Sequence, residues 1–328
     1  MSKWNSDQPA AEPALWIVGC GDLGTAVGRL ALAEGWEVCA TRRRAASIPR
    51  EFKAYPGDVT DPELSAPQRC DALLYCVAAT ERSDEAYAAA YPEGLAHALA
   101  ALSRAEQIPG RVLFVSSTSV WGGERGAWVD EQTPTGPPPG PPERILEAER
   151  LLARRLPTGV LRTSARLGGI YGPGRTAMIR AAARTLDRDT GPRQPKAAGT
   201  ESEHWTNRIH RDDAARALWH LLQHPKPPEH VAVVDDHPSP RSAVLEYLRD
   251  LLTSLGAESQ TETPPGAAAG TKRARSNRRI SNRLLRSTGF DLLYPSYREG
   301  YGALLKTPED VARALDLPSR GQQTRTEP

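Results

Sequence analysis

The sequence predicts an α/β protein built on a doubly wound parallel sheet, with a smaller, interwoven C-terminal lobe. Two observations predict it. Short apolar, strand-like runs alternate with stretches of helical spacing through the first half of the chain, and the first of those runs leads straight into a glycine-rich turn. The length agrees, since 328 residues exceed a small module and can bury a large core.

Taken in order, Met1–Pro13 is polar and without period, which reads as a loose tail. Strand-like runs follow at Leu15–Val18, Trp36–Thr41, Ala72–Val77 and Arg111–Ser116, separated by helical stretches such as Thr25–Glu34 and Glu93–Arg104. This sheet domain is expected over residues 14–170. A proline-rich loop, Pro134 to Pro142, ends where Glu143–Leu156 takes up helical spacing, with Ile145, Leu146, Glu149, Leu152 and Leu156 on one side. Another strand is expected at Gly159–Arg162. Residues 171–318 are expected to form the substrate-binding part, interwoven with the first, with helices at Asp212–Gln223 and Arg241–Gly256 and a strand at His230–Val234. Glu258–Thr271 reads as a flexible loop and residues 319–328 as a disordered tail.

Composition narrows the function classes. Lys plus Arg is 42 against 40 for Asp plus Glu, so a net charge of +2 argues against binding nucleic acid or acidic lipid by bulk charge. The four cysteines, Cys20, Cys39, Cys70 and Cys76, show no C-x-x-C pair and lie in or beside apolar runs. No apolar run approaches the roughly 20 residues of a membrane span, and Met1–Pro13 lacks the apolar stretch of a signal peptide. A cytoplasmic, reduced, soluble protein is expected.

The glycine turn is the most informative segment. Leu15-Trp16-Ile17-Val18 runs into Gly19-Cys20-Gly21-Asp22-Leu23-Gly24, a G-x-G-x-x-G with a strand before it and a helix after it. Gly19 permits the tight turn, Gly21 lets backbone approach a pyrophosphate, and Gly24 lets helix and strand pack closely. The helix start at Asp22 and Leu23 offers free N–H groups to the phosphates. The fold is therefore a Rossmann sheet with a dinucleotide site. An NAD site usually carries an acidic residue at the tip of the second strand, but this strand ends in Thr41-Arg42-Arg43-Arg44. Arginine suits forked contact with a phosphate, so NADP(H) is expected over NAD(H). The alternative is a solvated helix start, which accounts for Arg44 better than for Arg42. Farther on, Asp61-Pro62 reads as a helix cap and first turn, and leaves Asp58 unexplained.

With these residues in hand, the chain resembles the extended short-chain dehydrogenase/reductase superfamily, the NAD(P)-dependent epimerase/dehydratase group. Gly57-Asp58-Val59-Thr60-Asp61 is similar to that family's D-x-x-D turn, which implies that Asp58, beside Val59, contacts adenine. Val77-Ala78-Ala79 is similar to the apolar-alanine segment along the cofactor. Ser116-Ser117-Thr118-Ser119-Val120-Trp121-Gly122 resembles the S-S-x-x-V-Y-G strand with Trp121 replacing tyrosine, which implies that Ser117 is the catalytic serine. Residues 166–175 (RLGGIYGPGR) and Asn207–Asp213 (the N-x-I-H-x-x-D segment) complete the series. A homodimer and a small-molecule substrate are further implications.

The departure is the catalytic pair. The family's Y-x-x-x-K would place Pro141 at the tyrosine and Ile145 at the lysine, if Glu149 is the glutamate that trails the motif, and no tyrosine in the chain has lysine four residues on. The chain thus resembles the atypical, tyrosine-lacking members. Ser117 can orient a carbonyl but cannot alone act as a general acid, and it can equally be a strand-end serine that satisfies backbone. Tyr171 and His210 are the substitute proton donors to consider, although the resemblance makes His210 mainly structural. Asp212 or Asp213 reads as a helix cap. Thr118, Arg175 and Arg279 are the candidate substrate contacts.

Lys272–Arg286 holds seven basic residues and no acid. It reads as a clamp for a substrate diphosphate or carboxylate, as a solvated helix surface closed by Gly289, or, least favoured, as a nucleic-acid contact, since no aromatic residue is interleaved. The expected function is hydride transfer between a nicotinamide and a carbonyl or hydroxyl substrate, with a nucleotide sugar among the candidates. The alternative is a non-catalytic NADP(H)-binding sensor or scaffold.

Overall fold

Five consecutive buried residues, Ala14–Val18, form the first strand, β1, and set the centre of the molecule's main sheet. The structure, a computed structural model, describes residues 12–123, 126–186, 204–257 and 277–316. In chain order after β1 come α1 (Asp22–Ala33), β2 (Glu37–Thr41), β3 (Lys53–Ala54), β4 (Ala72–Tyr75), α2 (Asp84–Ala88), α3 (Gly94–Arg104) and β5 (Arg111–Ser117). Next are β6 (Ala127–Val129), α4 (Pro141–Arg155), β7 (Leu161–Leu167), β8 (Gly169–Tyr171), α5 (Ala177–Ala183), β9 (Trp205–Thr206), β10 (Arg208–His210) and α6 (Arg211–Gln223). The chain then forms β11 (His230–Val233), β12 (Ser239–Pro240), α7 (Arg241–Ser254), β13 (Arg278–Ile280), α8 (Arg283–Ser287), α9 (Tyr297–Leu304) and α10 (Pro308–Leu315).

The chain divides into two compact units that alternate along the sequence. The first comprises the described residues up to Val120, Pro137–Arg166 and Ala215–Val231, and the second comprises Trp121–Gly136, Leu167–Ala214 and the residues from Ala232 onward. Residues 121–136, counted with the first half on sequence alone, belong to the second unit, and 215–231 return to the first.

The seven-stranded sheet has the order β11-β7-β5-β4-β1-β2-β3. β1 pairs in parallel with both β2 and β4, β2 with β3, and β4 with β5, which makes it the expected α/β Rossmann-like sheet. Strands buried on both faces need apolar runs, and β1 and β4 (Ala-Leu-Leu-Tyr) are buried throughout. Gly28 of α1 is a close-approach position, because a Cβ there would stand 2.5 Å from the Phe52 ring.

A buried ion pair fastens α4 to the sheet. Arg166 of β7 donates from Nε and Nη2 to Glu149 at 3.0 and 2.7 Å, and Ser116 of β5 adds a third bond at 2.6 Å. Glu149 and Arg166 are each 3% exposed. His230, at the start of β11, lies 3.6 Å from the same carboxylate.

In the second unit the strands form three pairs: β8 with β10 and β6 with β13 in parallel, and β9 with β12 antiparallel. Tyr171, Ile179, Val244, Leu248, Tyr301 and Val311 meet in its core. Capping boxes, Ser296 with Glu299 and Thr307 with Asp310, start α9 and α10.

Four expectations shift. The helix after the glycine turn begins at Asp22, because the turn itself supplies its first residues. No helix follows Asp61. Its carboxylate accepts from Glu63 N, and Asp58 likewise accepts from Thr60 N, so both make local turns that compete with helix formation. The helix expected from Glu93 is preceded by α2 and one π turn, Ala89–Glu93, which holds Pro92. The strand expected at Gly159–Arg162 runs later, over Leu161–Leu167, because Gly159 takes a positive φ of 98°. The expected loop at Glu258–Thr271 and the tail at 319–328 lie outside the described residues, as does the N-terminal tail through Ala11.

Candidate dinucleotide site

The first unit carries a cavity of about 700 Å³. Its lining includes the segments that leave the carboxyl ends of β1, β2 and β4, where an open parallel sheet places its ligand, together with residues after β3 and from α2 onward. It is lined by Gly19 and Gly21 of the glycine turn, by Thr41, Arg42, Arg43 and Arg44, by Asp58 and Val59, and by Val77, Ala78 and Ala79.

The glycine turn is built as its sequence requires. Gly19 has φ +84°, and a Cβ there would lie 2.7 Å from Val77 N. The amides of Gly19 and Cys20 both donate to the Thr41 carbonyl, at 3.1 and 3.2 Å, which ties the turn to the end of β2. A Cβ on Gly21 would meet nothing nearer than 4.0 Å, so backbone here stands open to a ligand. Gly24 is packed, its Cβ position 3.0 Å from Ile17. Asp22, Leu23 and Gly24 are the first turn of α1, whose N–H groups have no intrahelical acceptor; Leu23 and Gly24 are buried while the Asp22 side chain faces solvent. An open glycine followed by a helix start, whose first N–H groups have no intrahelical acceptor, fits a pyrophosphate.

The arginine side differs from the sequence reading in detail. No α-helix starts at Arg42–Arg44; the segment passes into a short 3₁₀ turn, Ala45–Ser47. Arg42 is half-buried and donates to the Ser47 carbonyl at 2.8 Å, whereas Arg43 and Arg44 are exposed. Thr41 contributes structure: its hydroxyl accepts from the buried Trp16 indole at 2.9 Å. That role was invisible in the sequence, as were Ser47, Cys76, Ala86 and Ala89 as further wall residues. The Asp58–Val59 wall is held from α3, where the His97 ring bonds the Val59 carbonyl at 2.8 Å.

Ser117 ends β5, and its hydroxyl accepts from Ser119 N at 3.1 Å, while Thr118 is buried in the short turn that follows. On α4, Pro141 occupies the first turn and Ile145 is buried, so neither position offers an acid or a cation. Trp121, which stands at the tyrosine of the S-S-x-x-V-Y-G pattern, donates from its indole to the Thr133 carbonyl.

Tyr171 and His210 come together in the second unit, with ring centroids 5.3 Å apart. Tyr171 is 4% exposed, donates to the Ser296 carbonyl at 3.3 Å, and has its phenol pushed far up by burial. His210 caps α6: its Nδ1 accepts from Asp212 N at 3.2 Å, and burial lowers its pKa. The cap expected of Asp212 or Asp213 is thus supplied by His210. Asp213, fully buried, instead accepts from Leu293 N and Tyr294 N at 2.8 Å each and pins the loop before α9. Arg175 closes the turn after β8, its amide donating to Gly172 O.

The Lys272–Arg286 stretch is not one helix surface. Lys272, Arg273 and Arg275 lie outside the described residues. Arg278 is buried, Arg279 lies between two indoles, and Arg286 bonds the Phe290 carbonyl and pairs with Asp291. Among the described residues no group of three His, Cys, Asp or Glu side chains could hold a metal, and no helix is long and apolar enough to cross a membrane.

The chain is similar to proteins already known. YeeZ of Escherichia coli K12 is 32% identical over 222 residues, covering 64% of this chain and 73% of YeeZ. A solved structure from Methylobacillus flagellatus, described as an NAD-dependent epimerase/dehydratase, is 36% identical; the match covers 90% of this chain and 98% of that one, with a TM-score of 0.69. Two more distant structures share the fold. Human SDR39U1, solved with NADPH, is 19% identical with a TM-score of 0.68 over 89% of this chain and 99% of that one. MoeE5, solved with NAD and UDP-glucuronic acid, is 20% identical with a TM-score of 0.66 over 92% and 100%. The model of the NAD dependent epimerase/dehydratase family matches residues 16–234, from β1 through β11. With its glycine turn, parallel sheet and carboxyl-end cavity in the first unit, this chain belongs to that family.

Proposed function

We propose that the chain is an NADP(H)-dependent oxidoreductase or epimerase-like enzyme that moves hydride between the nicotinamide and a polar carbonyl or hydroxyl compound, with nucleotide sugars among the candidate substrates. The observation that carries the proposal is the cavity at the carboxyl ends of β1, β2 and β4, with an open Gly21, an anchored Arg42 and no carboxylate at the tip of β2. When bound, the nicotinamide supplies the hydride donor or acceptor. The glycine turn and the start of α1 would hold the pyrophosphate, Arg42 and Arg43 the 2′-phosphate, Asp58 the adenine, and Val77–Ala79 would line the path toward the nicotinamide. Ser117 would orient the reacting oxygen. Tyr171 and His210 serve structure on this reading, one bonded to a backbone carbonyl and the other capping a helix, so solvent supplies the proton. A homodimer is what the family resemblance implies, and a cytoplasmic setting is the expectation drawn from the cysteines and the lack of a signal-like run.

The test is turnover of a panel of carbonyls with NADPH deuterated at the transferable position, and of alcohols and nucleotide sugars deuterated at the reacting carbon with NADP+. Deuterium in a product, with Ser117→Ala slowing turnover at least tenfold and leaving cofactor affinity unchanged, is the expected result. A second reading, a non-catalytic NADP(H)-binding scaffold, is favoured by Pro141 and Ile145 at the positions of the family's tyrosine and lysine. Cofactor binding without deuterium transfer to or from any panel member, and without epimerisation of any sugar, would support it.

A further inference from the structure

Arg279 occupies a built position in the second unit. It lies on β13 in parallel register with Trp128 of β6. Its guanidinium carbon is 5.0 Å from the centre of the Trp128 ring and 4.8 Å from that of Trp205, so the cation is flanked by two indoles. Its Nε donates to the Gly126 carbonyl at 2.7 Å. Gly126 itself is shaped to this stack: its φ is +75°, and a Cβ there would stand 2.8 Å from the Trp205 ring. The Trp205 amide donates to the Asn277 side chain at 2.9 Å, which fixes the second indole's backbone.

These contacts hold the guanidinium in place but do not satisfy it. An aromatic face attracts the cation's charge, yet the N–H donors lie in the guanidinium plane and need oxygen acceptors. One of five donors is used by Gly126, which leaves the Nη1/Nη2 edge. Among the described residues no carboxylate pairs with Arg279, whereas Arg144 pairs with Asp84 and Arg286 with Asp291. The stack is open to ligands, since Trp128 is 57% exposed. A fixed guanidinium edge beside water-excluding rings matches the two-oxygen face of a phosphate or carboxylate, and its ordering cost is already met by the stack.

We propose that Arg279, held between Trp128 and Trp205, is an oxyanion-binding site that takes a phosphate, diphosphate or carboxylate group of a small ligand. In assigning that group to the substrate it rests on the enzyme reading above, and the experiment separates the two because it contains no nicotinamide. The intrinsic tryptophan fluorescence of the full chain is titrated with pyrophosphate, inorganic phosphate and succinate at constant ionic strength. A saturable change is expected with at least one of them. Saturation by the phosphates alone identifies a phosphoryl ligand, and saturation by succinate alone a carboxylate. Arg279→Gln should weaken it at least tenfold while the chain stays folded by circular dichroism. Arg279→Lys, which keeps the charge and loses the fork, should weaken it severalfold and serves if the Gln variant does not fold. Pyrophosphate held by the glycine turn would titrate alike in wild type and both variants, so that outcome overturns the proposal. So does the absence of saturation with all three anions, or tighter binding of single-stranded RNA than of pyrophosphate.

Discussion

Removing the Glu149 carboxylate should be among the most damaging single changes in the first unit. The side chain is 3% exposed and accepts three hydrogen bonds, two from Arg166 and one from Ser116. Glu149→Ala deletes all three and strands a guanidinium that is itself 3% exposed. Breaking a buried pair from one side costs about 3–5 kcal/mol, because the surviving charge keeps its desolvation penalty and loses its partner. At roughly 2–4 °C per kcal/mol for a unit of this size, the melting temperature should fall by about 10 °C. Glu149→Gln, which keeps the shape and some of the bonds, should cost about half as much. The double variant Glu149→Leu/Arg166→Met should be more stable than Glu149→Ala, since no unpaired charge remains. Urea unfolding of the four proteins, followed by circular dichroism, measures each term. A cost below about 1 kcal/mol for Glu149→Ala would refute the reasoning and show that the pair is hydrated in solution.

Other predictions follow from single contacts. Gly300→Ala should destabilise by about 1–3 kcal/mol despite alanine's better helix propensity, because the new Cβ would lie 1.9 Å from the Tyr171 hydroxyl. Adding Tyr171→Phe should restore part of that loss in a thermal melt. Arg42→Gln should weaken NADPH binding about tenfold or more and leave NADH within about twofold, as expected for loss of a charge-assisted phosphate contact; equal losses would place Arg42 elsewhere on the cofactor. Burial lowers the pKa of both His210 and His230, so the unfolded chain binds their protons first. Their contribution to stability is therefore full above about pH 6.5 and is lost as pH falls below it. In His230→Gln the drop in urea midpoint between about pH 7.5 and about pH 5.5 should be smaller than in wild type, and an unchanged drop would contradict the lowered pKa of the half-buried His230.

The parts legible in the sequence are those set by local chemistry. A strand, a turn that needs φ above zero at Gly19 and a helix start are specified within about a dozen residues, and the basic tip of β2 is read directly. What stayed hidden depends on partners far along the chain. Glu149 reads as an apolar-face position on a helix, and only the folded sheet brings it to Arg166 and Ser116. Asp213 looks like a cap because it stands near a helix start, yet its acceptors are used by amides 80 residues on. His210 takes the capping role because its ring nitrogen reaches the Asp212 amide, a geometry that residue type alone does not signal. The basic stretch misled because Trp128 and Trp205 are distant in sequence, so the aromatic partners of Arg279 were not visible beside it.

The measurement that tests the account most directly is a parallel titration of the purified protein with NADPH and NADH, followed by cofactor fluorescence. The account predicts saturable NADPH binding at least about tenfold tighter than NADH, the margin of one charge-assisted phosphate contact. Equal affinity would contradict the role given to Arg42 and Arg43, and failure to bind either cofactor would contradict the assignment of the cavity itself.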